Sequence, residues 1–186
     1  MSWSQKLFLR VNSRVGEKKW LDNLAIICAR DLIFVIISLV LIWGIYYLDP
    51  IDFKFLIKLL LTAVASGIVF SWTSALIWRN PRPVAELKNI RQIVIPHQTF
   101  KSFPSDHTMM SFIFVLIPAF LMMQWYFVVG LLIFACVVAV SRVYGGVHYP
   151  RDIIGGFFFA IFFSLVSFWL LGNVTQPVYS YLINLL

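Results

Sequence analysis

Residues 32–48, 59–78, 108–123, 125–140 and 153–171 carry no charged side chain. A helix needs about 20 predominantly apolar residues to cross the hydrocarbon core of a bilayer. These five stretches are close to that length, and polar groups mark their ends. Arg30-Asp31 precedes the first and Asp49-Pro50 follows it, while Lys54 and Lys58 stand where their long stems can snorkel at the start of the second. Composition agrees. With 61% hydrophobic and 12% charged residues, the chain lacks the polar surface that a soluble domain of 186 residues requires. The expected fold is an all-α integral membrane protein, a single membrane-embedded domain over residues 1–186, built from a bundle of about five transmembrane helices.

Residues 1–20 are expected to form an N-terminal amphipathic helix lying in the membrane interface. Trp3, Leu7, Phe8, Val11 and Val15 fall near helical spacing, and Lys6, Arg10, Arg14 and Lys18 recur on another face. This segment is too polar for a signal-peptide core, so no cleaved leader is expected. Ala63, Gly67, Ser71 and Ala75 recur every four residues, and Gly156, Ala160 and Ser164 do the same. Both series are stripes for close helix packing. Pro118 is expected to kink the third span, and Gln124 alone separates that span from the fourth, making a tight hairpin. Cys28 and Cys136 suggest neither a disulfide framework nor a metal site. The net charge of +7 favours anionic lipid or an anionic substrate, and no clustered basic face suggests nucleic acid.

Polar chemistry concentrates between the spans. In Ser141–Asp152, Asp152 lies four residues past His148 at a Pro-initiated helix start. That spacing lets the carboxylate hold one imidazole nitrogen protonated, leaving the other free as a nucleophile. Arg142 can turn its planar fork to an oxyanion, and Gly145-Gly146 lets backbone approach a ligand. Phe103–Thr108 opens the third span with Ser105 as an N-cap. A helix start with Ser and His beside it suits an anion. Arg82-Pro83 adds a guanidinium, and two intervening spans put both polar loops on one face with the N-terminus.

Together, Arg82-Pro83, Pro104-Ser105-Asp106-His107 and Ser141-Arg142 with His148 and Asp152 resemble the type 2 phosphatidic acid phosphatase (PAP2) family over roughly residues 60–172. Soluble vanadium haloperoxidases share these motifs, but the hydropathy excludes that branch. The resemblance implies a lipid phosphatase in which His148 attacks phosphorus to form a phosphohistidine. Asp152 orients His148, and His107 protonates the leaving oxygen and then activates water. Arg82, Arg142, Ser105 and the Asp106 amide bind phosphate oxygens. It implies no metal and no cofactor, the arginines supplying the positive charge. Two positions depart from the pattern. Ala75 stands where the family usually has Lys, so that either Arg79 or Lys101 replaces it or the site works with one fewer cation. Asp106 stands where Gly is commonest, and must point away or pair with Arg82 or Arg79. His97, in the Arg79–Lys101 loop, is either solvated or a contact to the distal phosphate of a pyrophosphate.

Among family members, the Asp variant, the short chain and Asn80-Pro81-Arg82-Pro83 look most like bacterial undecaprenyl pyrophosphate phosphatases. Phosphatidylglycerophosphate, phosphatidate and lipid A 1-phosphate are the alternative substrates. The implied partners are the bilayer and a membrane lipid phosphate, and the oligomeric state stays open. Non-catalytic alternatives are a lipid-phosphate binder or flippase, and a metal-dependent hydrolase or transporter using the histidines. Basic residues crowd the site face, which by the positive-inside rule would make it cytoplasmic. An anionic substrate gives that face its own reason for cations. The expected location is therefore a bacterial inner (plasma) membrane, multi-pass, with the site on the periplasmic or extracellular face.

Overall fold

The structure is a computed structural model, and it describes residues 1–96 and 98–183. Among these, every regular element is helical. Helix α1 (Trp3–Asn12) starts at Ser2, whose hydroxyl accepts from the Gln5 amide while the Gln5 side chain accepts from the Ser2 amide. This reciprocal cap satisfies two donors that a helix start leaves open. The chain then turns at Gly16 (φ +87°), whose amide donates to the Asp22 carboxylate. Helix α2 (Lys19–Arg30) follows and bends by 50° at Asp31 into α3 (Leu32–Tyr47). The N-terminal helix thus stops at Asn12, and Lys19 and Trp20 belong to α2. The Gly16 turn divides what helical spacing joins.

Helix α4 (Pro50–Ile77) is capped by Asp49, which accepts from the Ile51 and Asp52 amides, with Pro50 in the first turn. A short helix α5 (Pro83–Glu86) interrupts the long polar loop. Helix α6 (Asp106–Phe120) ends in a tight turn in which Met122 adopts φ +63°, and Pro118 lies in its last turn. Helix α7 (Trp125–Tyr144) returns antiparallel, and α8 (Pro150–Leu170) runs back again. A wide π turn, Leu171–Thr175, carries α8 into α9 (Gln176–Ile183), so the expected tail is a helical continuation.

Helices α4, α7 and α8 with its continuation are long and apolar enough to cross a membrane, and α2–α3 would make a fourth span if counted as one bent unit. The remaining expected span, α6, is apolar but shorter. It packs against α3, α4, α7 and α8. Met109, Ile113 and Ile117 are fully buried there, with Ile36, Val40, Leu56, Leu59 and Ala160 around them. The outer surface is apolar as well: Phe34, Ile45, Leu61, Val69, Leu76, Phe158 and Phe162 are exposed. Water-soluble monomers rarely expose contiguous apolar surface on this scale, so the bundle belongs in lipid.

Close approach in the bundle depends on the small-residue stripes. Ala63, Ser71 and Ala75 are buried on α4, and a Cβ on Gly67 would press on the Met109 side chain. On α8, a Cβ on Gly156 would come 2.9 Å from the Ser105 carbonyl oxygen, a backbone atom that cannot swing aside. Gly156→Val should therefore destabilise the protein by about 1–3 kcal/mol through overpacking. Gly130→Ala, with nothing within 4 Å of the new methyl, should not. Thermal unfolding in detergent micelles distinguishes the two.

Candidate active site

The end of the bundle where α6 and α8 begin and α4 and α7 finish collects the polar motifs. The long loop is pinned there by paired backbone bonds. The Arg82 amide donates to the Thr99 carbonyl at 2.8 Å, and the Ser102 amide donates to the Asn80 carbonyl at 2.7 Å. Arg82 and Lys101 are thereby held side by side. The Ser102 hydroxyl donates to Asp152 Oδ2 at 2.6 Å, the Tyr149 amide donates to the same oxygen at 2.8 Å, and the Ser105 amide donates to the Asp152 main-chain carbonyl at 3.1 Å. The long loop, the start of α6 and the His148 turn meet at the first turn of α8.

One cavity of about 680 Å³ is lined by Arg82, Asp106, His107, Arg142 and His148, and by the apolar residues Ile26, Ile68, Trp72, Ile93, Ile95 and Met110. His148 is 1% exposed. Its Nε2 lies 3.3 Å from an Arg82 Nη, which also donates to the Val147 carbonyl at 3.2 Å. Guanidinium nitrogens only donate, so Nε2 is the accepting nitrogen and the neutral ring carries its proton on Nδ1. That Nδ1 faces Asp152 Oδ2 at 3.7 Å, an ion-pair distance longer than a hydrogen bond. Burial pulls the His148 imidazole below its ordinary value; Asp152 opposes this, and Arg142 and Arg82 reinforce it. The resting ring is neutral, with its Nε2 lone pair turned to Arg82 at the cavity wall.

Arg142 closes α7 and donates to the Ala29 carbonyl at 3.0 Å. Arg82 and Arg142 are 5% and 6% exposed, neither forms an ion pair among the described residues, and the Nε of each is buried without a partner. Burial lowers the Arg82 pKa, against the raising effect of Asp106 and Asp152. Buried cations are ordinarily paired, because desolvation costs several kcal/mol per ion. Two guanidinium groups without carboxylate partners in one cavity make a site for an anion, and their planar forks fit phosphate oxygens.

The two departures seen in the sequence resolve into one interaction. Asp106, at the cavity wall, is held by Lys101, whose Nζ donates to both carboxylate oxygens at 2.7 Å, and by the Ser71 hydroxyl, which donates to Oδ1 at 2.6 Å. Lys101 is 1% exposed and lies 5.6 Å from the Trp72 ring centre. Burial lowers the Lys101 pKa, and Asp106 opposes the shift. Asp106 thus pairs with Lys101, not with Arg82 or Arg79. Through Asp106, Lys101 is linked to Ser71, one helical turn from the buried Ala75 on α4, while Arg79 shares an outer groove with Ala75.

Arg79 is not brought to the cavity: it lies on an exposed groove with Ser74, Asn80 and Phe103. His97 lies outside the described residues. Ser105 is fully buried; its Oγ accepts from the Thr108 hydroxyl at 3.0 Å and does not line the cavity. The Gly145-Gly146 turn packs on the long loop, where the Gly145 carbonyl accepts from the Ile93 and Val94 amides; it does not approach the cavity. Ser102, Ser71 and Arg30 do not stand out in the sequence as site residues. Lone serines on a packing stripe or in a loop carry no local signal, and Arg30 reads as a helix-end charge until the bend at Asp31 turns it to the cavity mouth.

Comparison with known proteins agrees with this architecture. The family model of the PAP2 superfamily matches residues 55–176. Over 154 residues the chain is 36% identical to the Escherichia coli K12 protein named "Putative undecaprenyl-diphosphatase YbjG", covering 81% of this chain and 73% of that one. It is 31% identical over 110 residues to the undecaprenyl-diphosphatase BcrC of Bacillus subtilis 168, covering 58% of this chain and 53% of that one. The crystal structure of Aquifex aeolicus LpxE superposes with a TM-score of 0.74 at 22% identity, covering 90% of this chain and 96% of that one, and so shares the fold. The chain belongs to the PAP2 superfamily and is one of its phosphatases.

The Lys101–Asp106 pair yields a stability prediction. Asp106→Asn leaves a buried ammonium without its counter-charge and should cost about 3–5 kcal/mol. Adding Lys101→Met removes the stranded charge and should recover most of that loss. Thermal unfolding of the two single variants and the double variant measures the coupling.

Proposed function

We propose that this protein is a membrane lipid diphosphatase that converts undecaprenyl pyrophosphate to undecaprenyl phosphate. The observation that carries this reading is the pair of buried, carboxylate-free guanidinium groups beside a neutral His148 in a cavity with one apolar side. The names of the two relatives support the choice of lipid.

In this reading the terminal phosphate enters between Arg82 and Arg142, whose unpartnered N–H groups take its oxygens together with the first amides of α6. The Arg82 contact to His148 passes to phosphate, freeing Nε2. His148 Nε2 then attacks phosphorus, and the bond from phosphorus to the bridging oxygen breaks. His107, on the cavity wall, gives its proton to the departing lipid monophosphate. The imidazole gains positive charge as it becomes phosphorylated, and Asp152 stabilises that charge through Nδ1–H. The 3.7 Å separation shortens to a hydrogen bond as this charge develops, since such contacts often tighten only in the reacting complex. Ser102 and the Tyr149 amide hold Asp152 in register throughout. His107 next takes a proton from water, whose oxygen attacks the phosphohistidine and releases inorganic phosphate. Positioning and fixed positive charge supply the catalysis, as phosphoryl transfer requires.

The prenyl chain occupies the apolar side of the cavity, between α2 and α4, and reaches it sideways from the bilayer. We place the protein in a bacterial plasma membrane, crossing it several times, with this end on the periplasmic or extracellular face, where the spent carrier lipid is released.

Phosphate release by purified protein in detergent with EDTA tests the reading. The substrates are undecaprenyl pyrophosphate, phosphatidylglycerophosphate, phosphatidate and lipid A, with His148→Ala as control. The expected result is preferred release from the pyrophosphate, at least 10³-fold reduced in the variant, as for loss of other covalent nucleophiles. Equal release by the variant would overturn the phosphohistidine, and preference for another lipid would overturn the substrate.

The depressed His148 value also sets the pH profile. Its folded pKa lies below the ordinary 6.5, so the nucleophile stays neutral as pH falls through 6.5 and protonates only below it. The acid limb of kcat/KM, which reports the free enzyme, should accordingly lie below 6.5.

A further inference from the structure

Besides Arg82 and Arg142, a third guanidinium lines the catalytic cavity. Arg30 stands at its mouth, among Ile26, Ile95 and Pro96. It is the last residue of α2, and the 50° bend into α3 places it there. Its position relative to the deep site is set by a direct link, because the Arg142 side chain donates to the carbonyl of Ala29, the residue before Arg30. From buried to exposed, the cavity's guanidinium groups run from Arg82 and Arg142 to Arg30, and apolar side chains line the rest. A prenyl diphosphate has the same sequence of chemistry: a terminal phosphate, a second phosphate joined through one bridging oxygen, then hydrocarbon.

We infer that Arg30 binds the lipid-proximal phosphate of a diphosphate substrate and so determines preference for diphosphates over monophosphates. This rests on the lipid diphosphatase reading above. Arg30 is held ready by Asp31, which accepts from its Nε and Nη at 2.8 and 2.9 Å. The pair is exposed, with 70% of the Arg30 side chain and 41% of the Asp31 side chain accessible, so exchange of carboxylate for phosphate needs no buried rearrangement. When the bond to the terminal phosphorus breaks, its electron pair stays on the bridging oxygen, and the proximal phosphate becomes the leaving monophosphate. Arg30 then faces a group whose negative charge is increasing. A monophosphate ester seated in the deep site has only carbon at that place, so it gains nothing from Arg30.

Hydrolysis of a prenyl diphosphate and a prenyl monophosphate of the same chain length, by wild type, Arg30→Gln, Arg30→Lys and Asp31→Asn, tests the inference. Arg30→Gln should lower kcat/KM for the diphosphate about 10- to 100-fold, as expected for loss of a charge-assisted contact. Monophosphate turnover should stay within about twofold, which also shows that the variant is folded. Arg30→Lys should restore part of the diphosphate rate. Asp31→Asn, which frees the guanidinium, should leave it unchanged or raised. A parallel fall for both substrates in Arg30→Gln and in Asp31→Asn would mean that the pair only holds the bend, and would overturn the inference while leaving the diphosphatase reading intact. No effect of Arg30→Gln on either substrate would overturn it too. A wild type that hydrolyses neither lipid would overturn the underlying reading, and the inference with it.

Discussion

The active site depends on the first turn of α8. Asp152 is fully buried and receives the Ser102 hydroxyl and the Tyr149 amide on one carboxylate oxygen, while its main-chain carbonyl receives the Ser105 amide. One residue therefore joins the long loop, the start of α6 and the His148 turn. Each connection is a hydrogen bond in a dry interior, where a broken partner leaves a buried polar group unsatisfied. The residue that steadies the imidazole also sets the relative positions of the groups around it. The close α6–α8 approach at Gly156 serves the same end, since the Ser105 carbonyl lies where a larger side chain would stand.

Charge in this region is arranged by depth. Lys101 and Asp106 compensate each other at the cavity wall, and Asp152 receives two neutral donors, with the edge of His148 and the Arg151 Nε (3.6 Å) beside it. The cavity is faced by Arg82, Arg142 and, at its mouth, Arg30, with His107 and a His148 imidazole whose pKa burial lowers. In the proposed reaction, a neutral His148 beside fixed cations suits an incoming phosphate better than a charged imidazole would, because protonation would block the attacking lone pair. The cations nearest it hold that state, since each raises the free energy of placing another positive charge on the ring.

Much of this was legible in the sequence because its signals are local. Uncharged runs mark apolar helices, and the three short motifs sit at helix ends, so helix parity alone brings Arg82 and His148 to one face. The relations missed were those carried by tertiary placement. The pairing of Lys101 with Asp106 depends on the loop pairing at Asn80 and Ser102. The division of the first thirty residues depends on the Gly16 turn and the bend at Asp31, whose geometry the local apolar pattern does not specify. Gly145-Gly146 looks like a ligand cradle by composition, yet its freedom is used to seat the turn against Ile93 and Val94.

That bend also explains how a membrane enzyme can keep its chemistry dry and still admit a lipid. If α2 and α3 ran straight, the α2 side of the site would pack along the bundle as α3 does. By turning away at Asp31, α2 leaves Ile26 and Arg30 lining a cavity whose other wall is Ile68 and Trp72 of α4. The hydrocarbon chain can then stay in apolar surroundings while only its phosphate end crosses to the guanidinium groups. Little hydrophobic burial is lost on moving from bilayer to site, so the affinity must come from the phosphate contacts. Selection among lipids should therefore be decided by the number and spacing of their phosphates before the identity of their chains.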